Sequence, residues 1–336
     1  MRTARSLEQP SLAPLLRAFA GRKVLVVGDL VADHYIYGET DRISREAPVL
    51  IVRYESAQVK LGGAANAAAN LRAMGARVTA IGVIGRDSMG TALRQGCRAA
   101  GIRLATPRPG AIATETKTRI LAGGLNTRRQ QMLRLDRGQK GPLPEEVQAE
   151  LAALTRELAR QSDAVLVSDY GAGVLGPKVI AEAVAAARQG VKVCVDSRYN
   201  LASFVGATLV KPNEPELEAF VGLRTDSDAR LGRAVRLARK RLGCQALLVT
   251  RGRQGMVLSV QGELERIEAH GNKEAVDVTG AGDTVGAALA LSLAAGADFS
   301  TAARLANVAG ALKVQKPGTA TVSAAELARE IEEGAL

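Results

Sequence analysis

The chain has 336 residues, of which 47% are hydrophobic and 24% charged, so it can bury a substantial core. Aromatic residues make up only 3% and Trp is absent, which argues against stacking platforms for single-stranded nucleic acid. The net charge of +11 leaves nucleic acid or small anionic ligands as partners. No apolar run approaches the length of a membrane span, and the three scattered cysteines are typical of buried thiols, so we expect a cytoplasmic protein.

The apolar pattern predicts strands that alternate with amphipathic helices. Repeated units of this kind form a mainly parallel sheet with helices on both faces, so the expected fold class is α/β in a single domain, 1–336. Residues 34–60 and 112–136 do not fit this alternation and are predicted to form a small β-sheet lid. The other predicted elements are helix 12–20, strand 23–29, a helix ending at 74, strand 78–83, helix 88–100, helix 143–160, strand 164–168, helix 174–189, strands 191–196 and 208–211, helices 214–221 and 227–242, strand 246–250, a hairpin at 255–269, and helices 284–296, 299–314 and 323–333.

Residues 277–284 read Asp-Val-Thr-Gly-Ala-Gly-Asp-Thr and precede a run of small, helix-forming residues. A sharp turn with inward N–H groups at a helix N-terminus favours an anion. A carboxylate at Asp283 would repel a merely bound anion, but it suits a base that takes a proton from a hydroxyl group. The stretch therefore predicts phosphoryl transfer, with the amides of Gly280, Ala281 and Gly282 stabilising the transferring group. The alternative is a glycine-rich turn in which Asp283 only caps a packed helix.

Polar residues follow the ends of five predicted strands. Ligands of parallel sheets gather at this edge, so the endings are expected to converge on an active site. Each ending also has a simpler explanation as a cap or turn. The five endings are Asp29, Ser168-Asp169, Asp196-Ser197-Arg198, Lys211-Pro212-Asn213 and Thr250-Arg251-Gly252.

Motif spacing limits the other kinds of site. A Gly-x-x-x-x-Gly-Lys-[Ser/Thr] loop is absent, no Cys/His spacing suits zinc, and no Gly-x-Ser-x-Gly marks a hydrolase. A Gly-x-Gly-x-x-Gly at Gly171, Gly173 and Gly176 leaves a dinucleotide site as an alternative, although it lies in mid-chain. Arginines at 230–241 alternate with apolar residues at helical spacing, which indicates a solvated helix face rather than a nucleic-acid stripe.

Two motifs together resemble the ribokinase (PfkB) family of sugar kinases, from about residue 22 to 330. They are Gly62-Gly63-Ala64-Ala65-Asn66 and the stretch 277–284. The resemblance implies a ribokinase-like fold, ATP and Mg²⁺ as cofactors, possible use of K⁺, and Asp283 as catalytic base. The other implied site residues are Asp33, Gly62, Gly63 and Asn66, with Asp29, for the substrate; Lys211, Asn213, Thr250, Gly252, Gly255 and Asn307 for ATP; Asn213 and Glu216, indirectly, for Mg²⁺; and Asp277 with Thr279 for a monovalent cation.

Within that family, segments 27–29, 35–38, 42–49 and 166–170 are similar to kinases that phosphorylate the anomeric hydroxyl of D-glycero-D-manno-heptose 7-phosphate, a step of ADP-heptose supply for lipopolysaccharide. Three basic residues are candidates for gripping the substrate phosphate. These are Lys117, Arg119 and Arg198. The sequence departs from the heptose-kinase pattern in a longer loop at 122–129.

Several alternatives remain open at this point. They are a kinase of fructose 6-phosphate, tagatose 6-phosphate, ribose or a nucleoside, and a catalytically silent sugar- or nucleotide-binding regulator. The expected partners are a phosphosugar and ATP, without nucleic acid or membrane. An exposed lid sheet further predicts a homodimer in which two lids pair.

Overall fold

The computed structural model describes residues 12–108, 112–124, 129–139, 141–271 and 274–333. The helices are α1 Leu12–Arg17, α2 Ala64–Ala73, α3 Ser88–Ala99, α4 Glu145–Ala159, α5 Pro177–Arg188, α6 Glu214–Val221, α7 Asp228–Leu242, α8 Ala281–Ala294, α9 Phe299–Val314 and α10 Ala324–Glu333. The strands are β1 Lys23–Gly28, β2 Leu30–Ile43, β3 Leu50–Gly63, β4 Arg77–Ile81, β5 Arg103–Ala105, β6 Thr116–Gly123, β7 Gln130–Arg137, β8 Ala164–Asp169, β9 Lys192–Ser197, β10 Leu209–Val210, β11 Ala246–Thr250, β12 Met256–Val260 and β13 Glu263–Ile267.

The larger sheet confirms the predicted α/β class. Within the described residues it has nine strands in the order β13-β12-β11-β10-β9-β8-β1-β4-β5. All neighbours from β5 to β11 are parallel, and β12 is antiparallel to both of its neighbours. Strand β5 was not predicted, because three residues are too few to show a period of two. The parallel strands place their carboxyl ends along one edge.

Two hydrophobic cores lie on opposite faces of this sheet, because successive side chains of a strand point in opposite directions. On β1, Val24 and Val26 belong to the core that α2, α8 and α9 cover. Leu25 and Val27 belong to the core under α4, α5 and α7. Helix α7 buries its apolar side there, including Val235, which agrees with the predicted solvated face for its arginines.

The second sheet has four strands in the order β3-β2-β6-β7 within the described residues. It confirms the small sheet predicted beside the main one, although β2 already begins at Leu30 and β7 ends at Arg137. Residues 125–128 of the longer loop lie outside the described residues. Large apolar side chains are exposed on or beside this sheet, namely Ile43, Val49, Leu50, Tyr54, Met132, Leu133 and Leu135.

Two further expectations concern the burial of the cysteines and the absence of a membrane-spanning segment. Cys97, Cys194 and Cys244 are free and buried, as predicted. Burial raises the pKa of Cys194 to about 12, so that thiol is a poor nucleophile. Among the helices of the described residues, none combines the length and the apolar character that a bilayer span requires.

Candidate active site

Asp283 lies in the first turn of α8, which begins at Ala281 rather than at the predicted residue 284. Gly280 precedes the helix in the left-handed conformation, with φ of 79°. A Cβ atom there would lie 2.6 Å from Asn66 Nδ2, so only glycine allows this approach. The turn thus brings Asp283 to the N-terminus of a buried helix, as the motif predicts.

The carboxylate of Asp283 is 4% exposed and has two hydrogen-bond donors. Asn66 Nδ2 donates to Oδ2 and the Tyr170 hydroxyl donates to Oδ1, both at 2.7 Å. Burial raises the pKa of Asp283 to about 6, although both hydrogen bonds oppose the shift. A carboxylate with this pKa is ionised at neutral pH and is a stronger base than an exposed one.

A buried hydrogen-bond network fixes Asn66 in front of Asp283. Asn70, one turn further along α2, donates through Nδ2 to the Asn66 carbonyl at 3.0 Å. Its Oδ1 accepts from Thr284 Oγ1 and from the amide of Val322, both at 3.1 Å. Sequence reasoning missed Asn70, for which the only signal was its spacing of four residues from Asn66 on the same helix.

Fewer backbone amides are available for the predicted anion hole than the motif implies. The amide of Ala281 donates to the carbonyl of Val278 at 3.1 Å, so the amides of Gly280 and Gly282 remain the candidates. A Cβ atom on Gly282 would lie 3.8 Å from Lys211 Nζ, so this ammonium stands beside the helix N-terminus. Lys211 also pairs with Asp196 at 3.0 Å, and the helix dipole adds positive potential at the same point.

Asp33 lies on β2 of the four-stranded sheet, between Lys60 of β3 and Lys117 of β6. Its Oδ1 accepts from Arg119 Nη1 at 2.6 Å, and both side chains are mostly buried. A Cβ atom on Gly62 would lie 2.5 Å from Asp33 Oδ2, so glycine lets the carboxylate lie against the backbone. Gly63 follows at the junction with α2. Arg119 therefore holds Asp33 through Nη1 in this structure.

Tyr170 lies between Asp283, to which its hydroxyl group donates, and two of the residues predicted to bind a substrate phosphate. Lys117 Nζ lies 4.7 Å and Arg198 Cζ lies 4.3 Å from the centroid of its ring. Burial lowers the pKa of Lys117, and the charge of Arg198 lowers it further. Both cations thus lie beside the same aromatic ring, where an anion could contact either of them. Sequence reasoning missed Tyr170, because only the tertiary structure places its hydroxyl group on Asp283.

The prediction that Asp29 contacts the substrate is not supported by the structure. Its Oδ2 accepts from the amides of Tyr170 and Ala172, and its Oδ1 from that of Val174. Asp29 is 1% exposed and therefore anchors the loop that carries Tyr170. The same contacts disfavour a dinucleotide site at the Gly-x-Gly-x-x-Gly segment. The backbone amides of that loop donate to the Asp29 carboxylate and not to a bound phosphate.

The residues predicted for ATP lie along the ends of β10 and β11. Thr250 donates through its amide to the carbonyl of Pro212 at 3.0 Å and bridges Asn213. Gly255 follows the short turn that starts at Gly252. Asn307 Nδ2 donates at 2.6 Å to the carbonyl of Glu268, just after β13, so it faces the same turn.

The side chains predicted to organise Mg²⁺ cap a helix. Asn213 Oδ1 accepts from the Glu216 amide at 2.8 Å, and Glu216 Oε2 accepts from the Asn213 amide at 2.9 Å. The part of the chain that the structure describes holds no group of three His, Cys, Asp or Glu side chains suited to a metal. Mg²⁺ keeps waters and binds phosphates, so this donor set fits an ion held mainly by a nucleotide.

The loop predicted to bind a monovalent cation is already filled by groups of the chain. Asp277 Oδ1 accepts from the Thr279 amide at 2.8 Å and Oδ2 from the Gly318 amide at 2.7 Å. The Asp277 carbonyl accepts from Lys313 Nζ at 3.4 Å. Lys313 is fully buried and was not predicted. The residues present therefore do not fit a bound monovalent cation.

The fold and this site together define a phosphotransferase that acts on a hydroxyl group. Residues 22–326 match the model of the pfkB family carbohydrate kinases, and the chain belongs to that family. It is 44% identical over 321 residues to a bifunctional protein HldE of Caulobacter vibrioides, covering 94% of this chain and 65% of that relative. The chain thus spans slightly less than two thirds of that protein.

Solved structures agree with the fold. Arabidopsis thaliana ribokinase complexed with ribose and ATP superposes with a TM-score of 0.69 at 22% identity, covering 92% of this chain and 98% of that one. Escherichia coli phosphofructokinase-2 in complex with potassium gives a TM-score of 0.75 at 19% identity, covering 94% and 100%. The predicted ribokinase-like fold is confirmed.

Proposed function

We propose that this carbohydrate kinase transfers the γ-phosphate of ATP to the anomeric hydroxyl of D-glycero-D-manno-heptose 7-phosphate, giving heptose 1,7-bisphosphate for ADP-heptose supply. The proposal is carried by the two cations around the Tyr170 ring, whose hydroxyl group contacts Asp283. We infer that these two cations form a second anion site beside Tyr170. This favours a sugar that carries a phosphate at the end remote from its reacting hydroxyl. The similarity of segments 27–29, 35–38, 42–49 and 166–170 to heptose 7-phosphate kinases supports a heptose within that class.

In the proposed reaction the acceptor hydroxyl replaces Tyr170 as the donor to Asp283 Oδ1, while Asn66 holds Oδ2. Asp283 takes the hydroxyl proton as that oxygen bonds to the γ-phosphorus, and the bond from phosphorus to the ADP oxygen breaks. The amides of Gly280 and Gly282 stabilise the negative charge on the transferring group, and Lys211, which pairs with Asp196, lies beside them.

ATP would lie along the ends of β10 and β11, with its phosphates directed at the N-terminus of α8. Mg²⁺ would neutralise phosphate charge, and Asn213 and Glu216 would hold its waters, with Asp196 as a further candidate. Burial raises the pKa of Glu216, the hydrogen bond from the Asn213 amide lowers it, and the charges of Lys211 and Asp196 have smaller effects.

We also propose a homodimer formed through the lid sheet. The supporting observation is the set of large apolar side chains exposed there, since a patch of this kind is costly to leave in water.

The buried free cysteines agree with the reducing cytoplasm proposed from the sequence.

The substrate is tested by ADP release with a panel of free and phosphorylated sugars, and phosphorus NMR then locates the new phosphate. The expected result is the highest kcat/KM for heptose 7-phosphate with a 1-phosphate product. A higher kcat/KM for fructose 6-phosphate, tagatose 6-phosphate, ribose or a nucleoside would assign that compound as the substrate instead of the heptose. No turnover with any of them would favour the silent regulator.

Three alanine variants test the phosphate subsite. Lys117→Ala and Arg198→Ala are expected to raise KM for the phosphosugar and to change little for its unphosphorylated analogue. Arg119→Ala is the matched control. It leaves Asp33 without its partner, so it should impair turnover of both the phosphosugar and its unphosphorylated analogue. Equal effects of Lys117→Ala on both sugars would remove that residue from the phosphate role.

A further inference from the structure

Lys313 is a fully buried cation that the proposed chemistry does not use. It is the penultimate residue of α9, and its side chain is 0% exposed. Nζ donates to the carbonyl of Lys316 at 3.1 Å and to the carbonyl of Asp277 at 3.4 Å. A lysine ammonium is rarely buried without a reason, because removing it from water is costly.

The backbone beside Lys313 is tied to the same loop. The amides of Val276 and Asp277 both donate to the carbonyl of Val314, at 2.7 and 3.0 Å. The Asp277 carboxylate is held in turn by the amides of Thr279 and Gly318. These hydrogen bonds therefore fix residues 277–280 between the end of α9 and the start of α8. The Lys313 ammonium group lies beside this loop.

We propose that the ammonium group of Lys313 is the resident cation of the loop 277–280 and takes the place of a dissolved monovalent cation there. Ammonium and potassium ions are similar in size, and carbonyl oxygens satisfy both. A tethered cation does not have to be captured from solution, so the loop keeps its geometry at any potassium concentration. Lys313 acts as a positioning residue, since it reaches the reaction only through the loop that carries Gly280 and orients α8.

This assignment deepens the proposed function, because it concerns the anion hole of the same reaction. It does not depend on which sugar is the acceptor. Displacing a catalytic group by about 1 Å can cost on the order of 10²-fold in rate, so loss of the cation should be visible in kcat.

The first experiment uses the unaltered protein. Its kcat, with the best sugar of the panel, and its thermal midpoint are measured in potassium, sodium and tetramethylammonium chloride at equal ionic strength. The expected result is the same kcat and the same midpoint in all three salts. A marked activation by potassium would overturn the proposal without any variant having to fold.

The second experiment uses Lys313→Met, which keeps most of the side-chain volume and removes the charged end. Its kcat is expected to fall by about 10²-fold in tetramethylammonium chloride and to recover in potassium or ammonium chloride. Its thermal midpoint should rise in the same two salts, a readout that needs no sugar and so separates this proposal from the choice of substrate. A loss that no cation restores, or full activity without any, would overturn the proposal.

Lys316→Met is the matched control. It removes a nearby positive charge that bonds to Glu326 and to the carbonyl of Thr321, but it leaves the Lys316 carbonyl in place for Lys313. Its response to the three salts should equal that of the unaltered protein. A potassium requirement in this variant as well would show that any nearby charge serves, and would overturn the specific role of Lys313.

Discussion

Asp283→Asn is expected to remove most turnover and, at the same time, to stabilise the fold. Asp283 is 4% exposed, and burial raises its pKa to about 6 from an ordinary value of 3.8. Keeping it ionised near neutral pH therefore costs the folded state ~3 kcal/mol. An asparagine amide carries no charge, yet it accepts from Asn66 and donates to the Tyr170 hydroxyl, so both contacts survive.

The sign of the pH dependence follows from the raised pKa of Asp283. Below pH 3.8 the carboxyl group is protonated in both the folded and the unfolded chain, so the full stability is present. As the pH rises, the unfolded chain releases its proton first, and stability is lost until the folded-state pKa of about 6 is passed. Roughly half of the ~3 kcal/mol is lost by about pH 5 and the rest by about pH 7.5.

Urea unfolding followed by circular dichroism measures this difference, since the chain has no Trp. The advantage of Asp283→Asn over the unaltered protein should grow by roughly 1.4 kcal/mol between about pH 5 and pH 7.5. Asp226→Asn, at an exposed ion pair with Arg230, is the control and should show no such growth. An advantage that is the same at both pH values would refute the buried, ionised carboxylate.

Turnover and nucleotide binding are measured on the same variant. We expect kcat to fall by about 10²- to 10⁴-fold or more, because the general base is lost. ATP affinity by calorimetry should be nearly unchanged, since in the proposed reaction Asp283 contacts the acceptor hydroxyl and not the nucleotide. Turnover close to that of the unaltered protein would exclude Asp283 as the base.

Three other substitutions test the contacts of the base and the lid. Tyr170→Phe removes a hydrogen bond that lowers the pKa of Asp283, so the acid limb of kcat/KM should move to higher pH. Gly280→Ala places a Cβ 2.6 Å from Asn66 Nδ2 at a left-handed φ, and should cost ~1–3 kcal/mol in thermal unfolding together with activity. Leu133→Asp puts a charge among the exposed apolar side chains of the lid and should convert a dimer to a monomer in light scattering.

Each of these predictions has an outcome that contradicts it. An unchanged pH profile in Tyr170→Phe would mean that the phenol does not bond to Asp283 in solution. A Gly280→Ala protein of full stability would show that the turn tolerates a side chain. For the lid, Val205→Asp is the control, as Val205 is exposed outside the four-stranded sheet. If Leu133→Asp, Val205→Asp and the unaltered protein all have the same molecular mass, the four-stranded sheet is not the dimer surface.

Much of the fold could be predicted from local patterns. The strand–helix alternation, the start of a helix near Asp283 and the separate small sheet all follow from periodicity and glycine spacing, which the chain expresses within short windows. The pair of motifs around Asn66 and Asp283 further identified the two halves of the site, which lie more than two hundred residues apart.

Tertiary structure decided which side chains reach those halves. Asp29 was predicted at the right edge of the sheet, but only the path of the loop after β8 shows that its carboxylate is consumed by backbone amides. Tyr170 and Lys313 carry no local signal, because a tyrosine in a loop and a lysine near a helix end are ordinary in sequence. Their roles depend on contacts with Asp283 and Asp277 that long-range packing creates. The sequence by itself therefore determined the family and the glycine turn that carries Asp283, whereas the tertiary structure decided which cations surround that turn, since charge acts through space rather than along the chain.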